Sequence, residues 1–322
     1  MAGKSSGEVI IQNGNVLYYP SVIEDVQWDT ERYGVPGKLT FKCMYDSALN
    51  IEEGNICMFT WNGTKVFYGF IFTLSITKDK VLSVTAYDQL RYFKNKDTYV
   101  ITGKKYSEVL KQIVSDFKLN AGTIEDTGYV IPSLTEDSTA LFDICQDCAD
   151  QTLMNNGNIY VLHDNYGHLC LQNCTSMILN LLIDAETGQN FSFSSSIDES
   201  AYNKIKLVYD NETTGMRDVY IAQDSSNMNK WGILQFYDKL EEGENGKTKV
   251  NQLLKLYNKK SRNLKVENAI GDVRVKAGCT LTVNLNLGIA SVASLMLVES
   301  CTHTFKENED WMTLKLRGGG LT

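Results

Sequence analysis

Eight cysteines and three histidines are the side chains here best suited to hold a metal or act as nucleophiles, and their spacing decides what they can do. Cys145-x-x-Cys148 and Cys170-x-x-x-Cys174 together offer four thiolates at a spacing open to tetrahedral zinc. The first pair falls on the apolar stripe of an expected helix, where a small buried thiol behaves as a hydrophobe. Zinc ribbons instead put such a pair on a tight glycine-containing turn. Structural disulfides are disfavoured in a reducing cytoplasm. Gly246-Lys247-Thr248 precedes a helix as the end of a phosphate-binding loop does, but the loop's first glycine position is Glu241. Glu241, Glu242 and Glu244 repel phosphate, so a solvated loop is the better reading. His163, His168 and His303 form no His-Glu-x-x-His pair, and no Gly-x-Ser-x-Gly elbow is present. His163 and His168 are expected to face each other across a hairpin as ordinary polar partners. Carboxylates are plentiful, but a retaining glycosidase needs two of them ~5 Å apart in space, which abundance does not supply. No residue is therefore nominated as catalytic, cofactor-binding or metal-binding.

Aromatic side chains are dense over Tyr87 to Tyr99 and Trp231 to Tyr237. They fit a sugar-stacking platform or an interface between chains, and the interface reading is favoured because Tyr and Trp bury area at low entropic cost. The net charge of -8 argues against a grip on phosphate backbones, which needs clustered Lys and Arg. An acidic wall would instead let DNA slide past. The first residues are small and polar, without the apolar core of a secretion signal, and no run approaches the ~18 apolar residues of a membrane span. Folding in a cytoplasm is expected. The Asn-x-Ser/Thr matches at Asn62, Asn173, Asn190 and Asn211 then count as chance.

These residues must be positioned by a mainly β framework. With 322 residues the chain exceeds one comfortable core, and three prolines against 24 glycines and 17 tyrosines suit strands joined by glycine and asparagine turns. Leu39, Phe41, Cys43 and Tyr45 alternate with polar residues, and strand-like runs follow at 56–61, 66–77 and 81–87, with Asn62-Gly63 as a hairpin turn. Residues 1–98 are expected to form a small β-barrel. Residues 99–195 read as an α+β middle domain. One helix is expected over 107–117, with Leu110, Ile113, Val114 and Phe117 on one face, and another over 138–152, ended by Asn156-Gly157. Strands 159–163 and 168–172 flank Asn165-Tyr166-Gly167. Residues 196–322 read as a second barrel, in which Ile205, Leu207 and Tyr209 alternate, as do Leu281, Val283, Leu285 and Leu287. A peripheral helix near 247–262, with a stripe of Val250, Leu253, Leu254 and Tyr257, is expected to brace the barrel from outside. Glu53-Gly54 before one strand and Ala277-Gly278 before another begin similar successions of elements, a weak internal repeat.

Several longer stretches carry a resemblance. They are Tyr87-Asp-Gln-Leu-Arg-Tyr-Phe-Lys-Asn-Lys, Ser196-Ile-Asp-Glu-Ser-Ala-Tyr-Asn-Lys-Ile-Lys-Leu, the region Asp224 to Gln235 around Lys230-Trp231-Gly232, Thr302-His-Thr-Phe-Lys, and Leu314-Lys-Leu-Arg-Gly-Gly. Together they resemble the XkdQ/YqbQ-type tail proteins of PBSX-like prophages, relatives of contractile-tail baseplate hubs, over nearly the whole chain. The resemblance implies a hub fold similar to the ring-forming half of the type VI secretion spike, with two barrels per chain and six in a homotrimer. Such a ring would adapt a hexameric tail tube to a three-fold spike. Its implied partners are copies of itself, the tube protein, the spike protein and other baseplate proteins, with DNA passing unbound and no membrane. The implied location is the tail baseplate of a virion or tail-like particle assembled in the host cytoplasm. The chain ends soon after its last expected strand, so no appended catalytic domain is expected. The rival reading is a peptidoglycan hydrolase or glycan-binding tail module.

Overall fold

Alternation decides the first third of the chain. Leu39, Phe41 and Cys43 are buried while Lys42 and Met44 face solvent, the two-residue period of a strand with one covered face. The computed structural model describes residues 6–198, 200–211, 215–240, 244–286 and 291–318. Its first strands are β1 (Gly7–Asn13), β2 (Val16–Tyr18), β3 (Val26–Glu31), β4 (Lys38–Met44), β5 (Ile56–Trp61), β6 (Thr64–Ile76) and β7 (Val81–Tyr87). They lie antiparallel in the order β3-β4-β7-β6-β5-β1-β2 over a core that includes Ile11, Trp28, Leu39, Phe41, Phe59 and Ile71. Asn62 and Gly63, with φ of 49° and 77°, make the expected turn between β5 and β6.

After a 3-10 turn at Gln89–Lys94 come β8 (Lys96–Lys105), α1 (Tyr106–Asp116), β9 (Ala121–Ile124), β10 (Val130–Ala140), α2 (Leu141–Asn156), β11 (Tyr160–Asp164) and β12 (Leu169–Asn173). α1 buries Val109, Leu110, Ile113 and Val114, and Glu108 closes its first turn by accepting from the Lys105 N–H at 2.8 Å. α2 starts at Leu141 rather than 138, because Thr139 and Ala140 still pair with β8. Gly157, with φ of 77°, ends it. The helices pack on the β8·β10 pair and on the sheet β11-β12-β9.

The remaining elements are β13 (Ile178–Ile183), β14 (Gly188–Ser196), β15 (Lys204–Asn211), β16 (Met216–Gln223), α3 (Ser225–Trp231), β17 (Gln235–Lys239), α4 (Gly246–Tyr257), β18 (Ser261–Ile270), β19 (Thr280–Asn286), β20 (Ser291–Lys306) and β21 (Glu309–Gly318). Six of them run in the order β14-β18-β21-β20-β19-β13, and β20 also pairs with β3, which joins both halves of the chain in one 13-stranded sheet. β13 and all but the last residue of β14 fall within residues 99–195 yet belong to this sheet. The strands expected around Ile205 and Val219 do not. β15, β16 and β17 form a sheet of their own, and α4 lies on it and against α2 rather than bracing a barrel, with Val250 and Leu253 packed on Ile205 and Leu207. Leu287 and residues 241–243 of the acidic loop lie outside the described residues.

The internal repeat is present in the topology. β1, β3, β4, β5, β6 and β7 correspond in order and neighbours to β13, β14, β18, β19, β20 and β21. Gly54 and Gly278 hold equivalent turns at φ of 89° and 91°. The Gly54 N–H donates to the Ile71 carbonyl and the Ile71 N–H to Asn55; the Gly278 N–H donates to Val298 and the Val298 N–H to Cys279. A bulge follows at the same place in both, between Ile71 and Thr73 and between Val298 and Ser300. One strand differs, since β13 runs parallel to β19 whereas β1 runs antiparallel to β5.

The two closed barrels expected from the sequence are not formed among the described residues. No ladder joins β1 to β3 or β13 to β14. In the first half a cleft of about 310 Å³ lined by Val9, Val26, Phe59, Trp61 and Phe305 takes the place of the missing ladder.

Gly54 and Gly278 separate two costs. A methyl at Gly54 meets nothing within 4 Å, so Gly54→Ala is expected to lower stability by about 1 kcal/mol through backbone strain alone. At Gly278 it would stand 2.3 Å from Val161 Cγ1, so Gly278→Ala is expected to cost more than twice as much. Chemical denaturation of the two variants measures the difference.

Candidate functional site

The residues singled out by type do not converge. Cys145 and Cys148 are buried in α2 beneath the middle core, Cys170 lies on β12 in the same region, and Cys174 packs into the core of the second half. Burial pushes the Cys145 thiol up to about 12 and raises Cys148, Cys170 and Cys174 as well, which favours protonated, inert thiols. No three potential metal ligands gather among the described residues. His163 does not face His168: it stands opposite Cys170, because the hairpin closes at Asp164 and Leu169 and leaves His168 exposed in the turn. At the start of α4, the Thr248 N–H is already taken by Asn245 Oδ1, and Lys249 holds Glu244 at 2.6 Å, so no amide cradle stands open there. The aromatic runs are mostly internal. Phe93 and Tyr99 are buried, and Phe236 stacks on Tyr257 at 5.6 Å. Tyr237 and Ile233 remain exposed, as do Val219 and Ile221.

Folding does bring carboxylates together where the first half, the middle region and the second half meet. Asp88 accepts from the N–H groups of Gly37 and Leu90, and Asp164 accepts from the Gly167 N–H at 2.6 Å. Gln89 donates to the Gly167 carbonyl and accepts from the Asn120 N–H, while Lys276 Nζ reaches the Asp164 carbonyl at 3.2 Å. Burial raises the pKa of both acids, with the neighbouring Asp164 charge adding to the shift at Asp88, and burial lowers that of Lys276. Asp164 Oδ2 is buried without a partner. This is the pattern of an acid pair, but the hollow it borders holds about 30 Å³, the share of one water molecule and too little for a sugar ring. Its geometry suits a clasp between three parts of the chain.

The other concentration of polar groups lies along the seam of β3 and β20. The pairing runs from Ser300 opposite Glu31 to Phe305 opposite Val26. Glu299 takes Arg32 through two bonds of 2.7 and 3.0 Å and Arg317 at 2.7 Å, and Thr302 Oγ1 donates to Asp29 at 2.7 Å. His303 is fully buried between Trp28 and Phe305, at ring distances of 5.2 and 5.5 Å, with Asp310 on one nitrogen at 2.9 Å and the Val275 carbonyl on the other at 2.8 Å. Burial alone pushes an imidazole's pKa down; Cys301 and the bonded Asp310 outweigh it and hold His303 well above 6.5. A charged His303 donates from both nitrogens, which both partners require. His303 shares the inward face of β20 with Cys301 and Phe305, and nothing local in the sequence pointed to Asp310 or Trp28.

A scan against family models matches residues 26–317 to a family described as YqbQ-like. The chain belongs to the YqbQ-like family. Its relatives include YqbQ of Bacillus subtilis, 30% identical over 91% of both chains, and the phage-like element PBSX protein XkdQ of the same bacterium, 28% identical over 91% of both. The fold is shared with a tail protein from Neisseria meningitidis, with a TM-score of 0.69 over 98% of each chain at 12% identity.

His163 of this YqbQ-like chain carries a pH signature. Burial, then the Lys276 charge, pushes its pKa down to about 4. Between pH 6.5 and about 4 the unfolded chain binds a proton that the folded chain does not, so this group removes stability as pH falls, about 3 kcal/mol across the window. The raised Asp88 and Asp164 act with the opposite sign. His163→Asn is therefore expected to lose less stability than the parent between pH 6.5 and 4, read from denaturation midpoints. Removing Asp310 with Asp310→Ala would leave His303 buried and unpaired, at a cost of about 3 to 5 kcal/mol.

Proposed function

We propose that this chain is a structural hub subunit of a phage tail or tail-like particle, with no catalytic site of its own, which forms a trimeric ring between a hexameric tube and a three-fold spike. The observation that carries the reading is the duplicated six-strand unit. Two equivalent units in one chain turn three copies into six, so one face of a trimer can match six-fold symmetry while the whole keeps three-fold symmetry. Each unit would then serve as one barrel-like hub domain, and the middle region as a spacer clasped between them. Kinship with a protein of the PBSX phage-like element, and a fold shared with a tail protein, support a place in the tail, assembled in the host cytoplasm. The partners are the tube protein, the spike protein and neighbouring baseplate proteins. An excess of 39 acidic over 31 basic residues suits a lumen past which DNA moves without binding.

The rival peptidoglycan hydrolase would need an accessible acid pair, and the pair at Asp88 and Asp164 borders a hollow the size of one water molecule. Imaging of the intact particle is expected to show three copies in a ring between tube and spike; another copy number or position overturns the adaptor. Purified chain is expected to leave peptidoglycan intact, and turnover abolished by Asp164→Asn would install the hydrolase in its place.

A further inference from the structure

The seam between β3 and β20 has two unused counterparts on the surface of the same molecule. β20 runs past the end of β19, and its later residues lie along β3. β6 runs past β5 in the same way: its ladder with β5 stops at Phe70, and among the described residues 73–76 pair only with β7. Among the described residues β14, the counterpart of β3, pairs only with β18 and ends the sheet. The first half thus carries a free equivalent of the β20 tail, and the second half a free equivalent of the β3 edge.

Neither edge is protected. Strands that must stay unpaired carry Lys, Pro or inward charges. β14 reads Gly-Gln-Asn-Phe-Ser-Phe-Ser-Ser-Ser, without charge or proline, and Phe191 is 45% exposed. Residues 72–77 read Phe-Thr-Leu-Ser-Ile-Thr, and Ile76 is 54% exposed.

We propose that these edges pair between copies of the chain, the β6 tail of one protomer adding antiparallel to β14 of the next in the register of the internal seam. Carrying the internal ladder across the repeat places Thr73 opposite Ser196, Ser75 opposite Ser194 and Ile76 opposite Phe193. The contact joins different surfaces on the two copies, so it propagates head to tail until a ring closes. That the ring closes at three rests on the hub reading above. Chemistry distinguishes the two seams. Where the internal one buries His303 against Trp28 with Asp310 as partner, the external one sets Ile76 against Phe193. Opening the external seam strands no buried charge, which suits a contact made during assembly.

Ser75 and Ser194 are exposed, and they correspond to Thr302 and Asp29, whose side chains touch in the internal seam. The test is the double variant Ser75→Cys with Ser194→Cys, expressed with the other proteins of its tail and mildly oxidised as purified particles; the eight native cysteines are buried and free. Non-reducing gels are expected to show most of the chain as covalent trimer. The control Ser75→Cys with Phe193→Cys is expected to link about tenfold less, because a one-residue slip turns a side chain to the other face. Three copies per ring with no linkage above the control overturns the edge pairing and leaves the hub reading standing. Selective linkage into rings of another size keeps the pairing and overturns the trimer. Should the cysteine variant fail to assemble, charges replace it: Ser75→Lys with Ser194→Lys is expected to abolish incorporation and Ser75→Lys with Ser194→Glu to restore it, and equal incorporation of the two overturns the pairing.

Discussion

The six residue pairs between β3 and β20 make one object of a chain whose ends would otherwise be separate sheets. These partners are some 270 positions apart in sequence, as with Thr302 and Asp29, 273 residues apart, so the seam carries a large loop-closure cost. Burial of Trp28 and Phe305, the bidentate Arg32 to Glu299 pair and the charged His303 offset it. A buried ion pair adds little net stability over an apolar one, but breaking it by losing one partner is expensive. His303 with Asp310 therefore acts less as an adhesive than as a register mark. A one-residue slip would separate His303 from Trp28 and reverse which side chains face the core.

The same constraint explains the division of labour among the other cores. The middle region, with α1 and α2 over their sheets, is built from contacts close in sequence and touches the halves through the clasp of Asp88, Gln89, Asp164 and Lys276. Its acids and lysine border a hollow of about 30 Å³, and their perturbed ionisation accompanies the hydrogen bonds that tie the three parts together. Perturbed pKa values occur in structural networks as well as in active sites. The small sheet β15, β16 and β17 with α4 is inserted between the counterparts of β3 and β4, where it lengthens a connection without disturbing the repeated unit.

Much of the local structure was legible in the sequence. β5 spans the expected residues 56–61, α1 lies within one residue of expectation, and Asn62-Gly63 and Gly157 make the turn and the cap that their backbone freedom suggests. Each of these depends on periods of two or 3.6 residues or on one left-handed backbone position, all of which are properties of neighbouring residues. The repeat was legible as an order of elements, because glycine turns and long hairpins leave their spacing in the sequence.

What remained hidden depends on partners distant along the chain. The parallel pairing of β13 with β19, the separate sheet under α4 and the open sides of both halves follow from where strand edges meet, which alternation does not encode. His163 and His303 are both inward-facing histidines on strands, and no local pattern distinguishes them. Tertiary structure alone buries one beside Lys276 and drives it neutral, and gives the other Cys301 and Asp310, which hold its pKa up against burial. The sequence by itself determined which faces are apolar and where the chain turns. The fold decided which charges are buried together, because the free energy of a buried charge depends on its spatial neighbours and hardly at all on its neighbours in the chain.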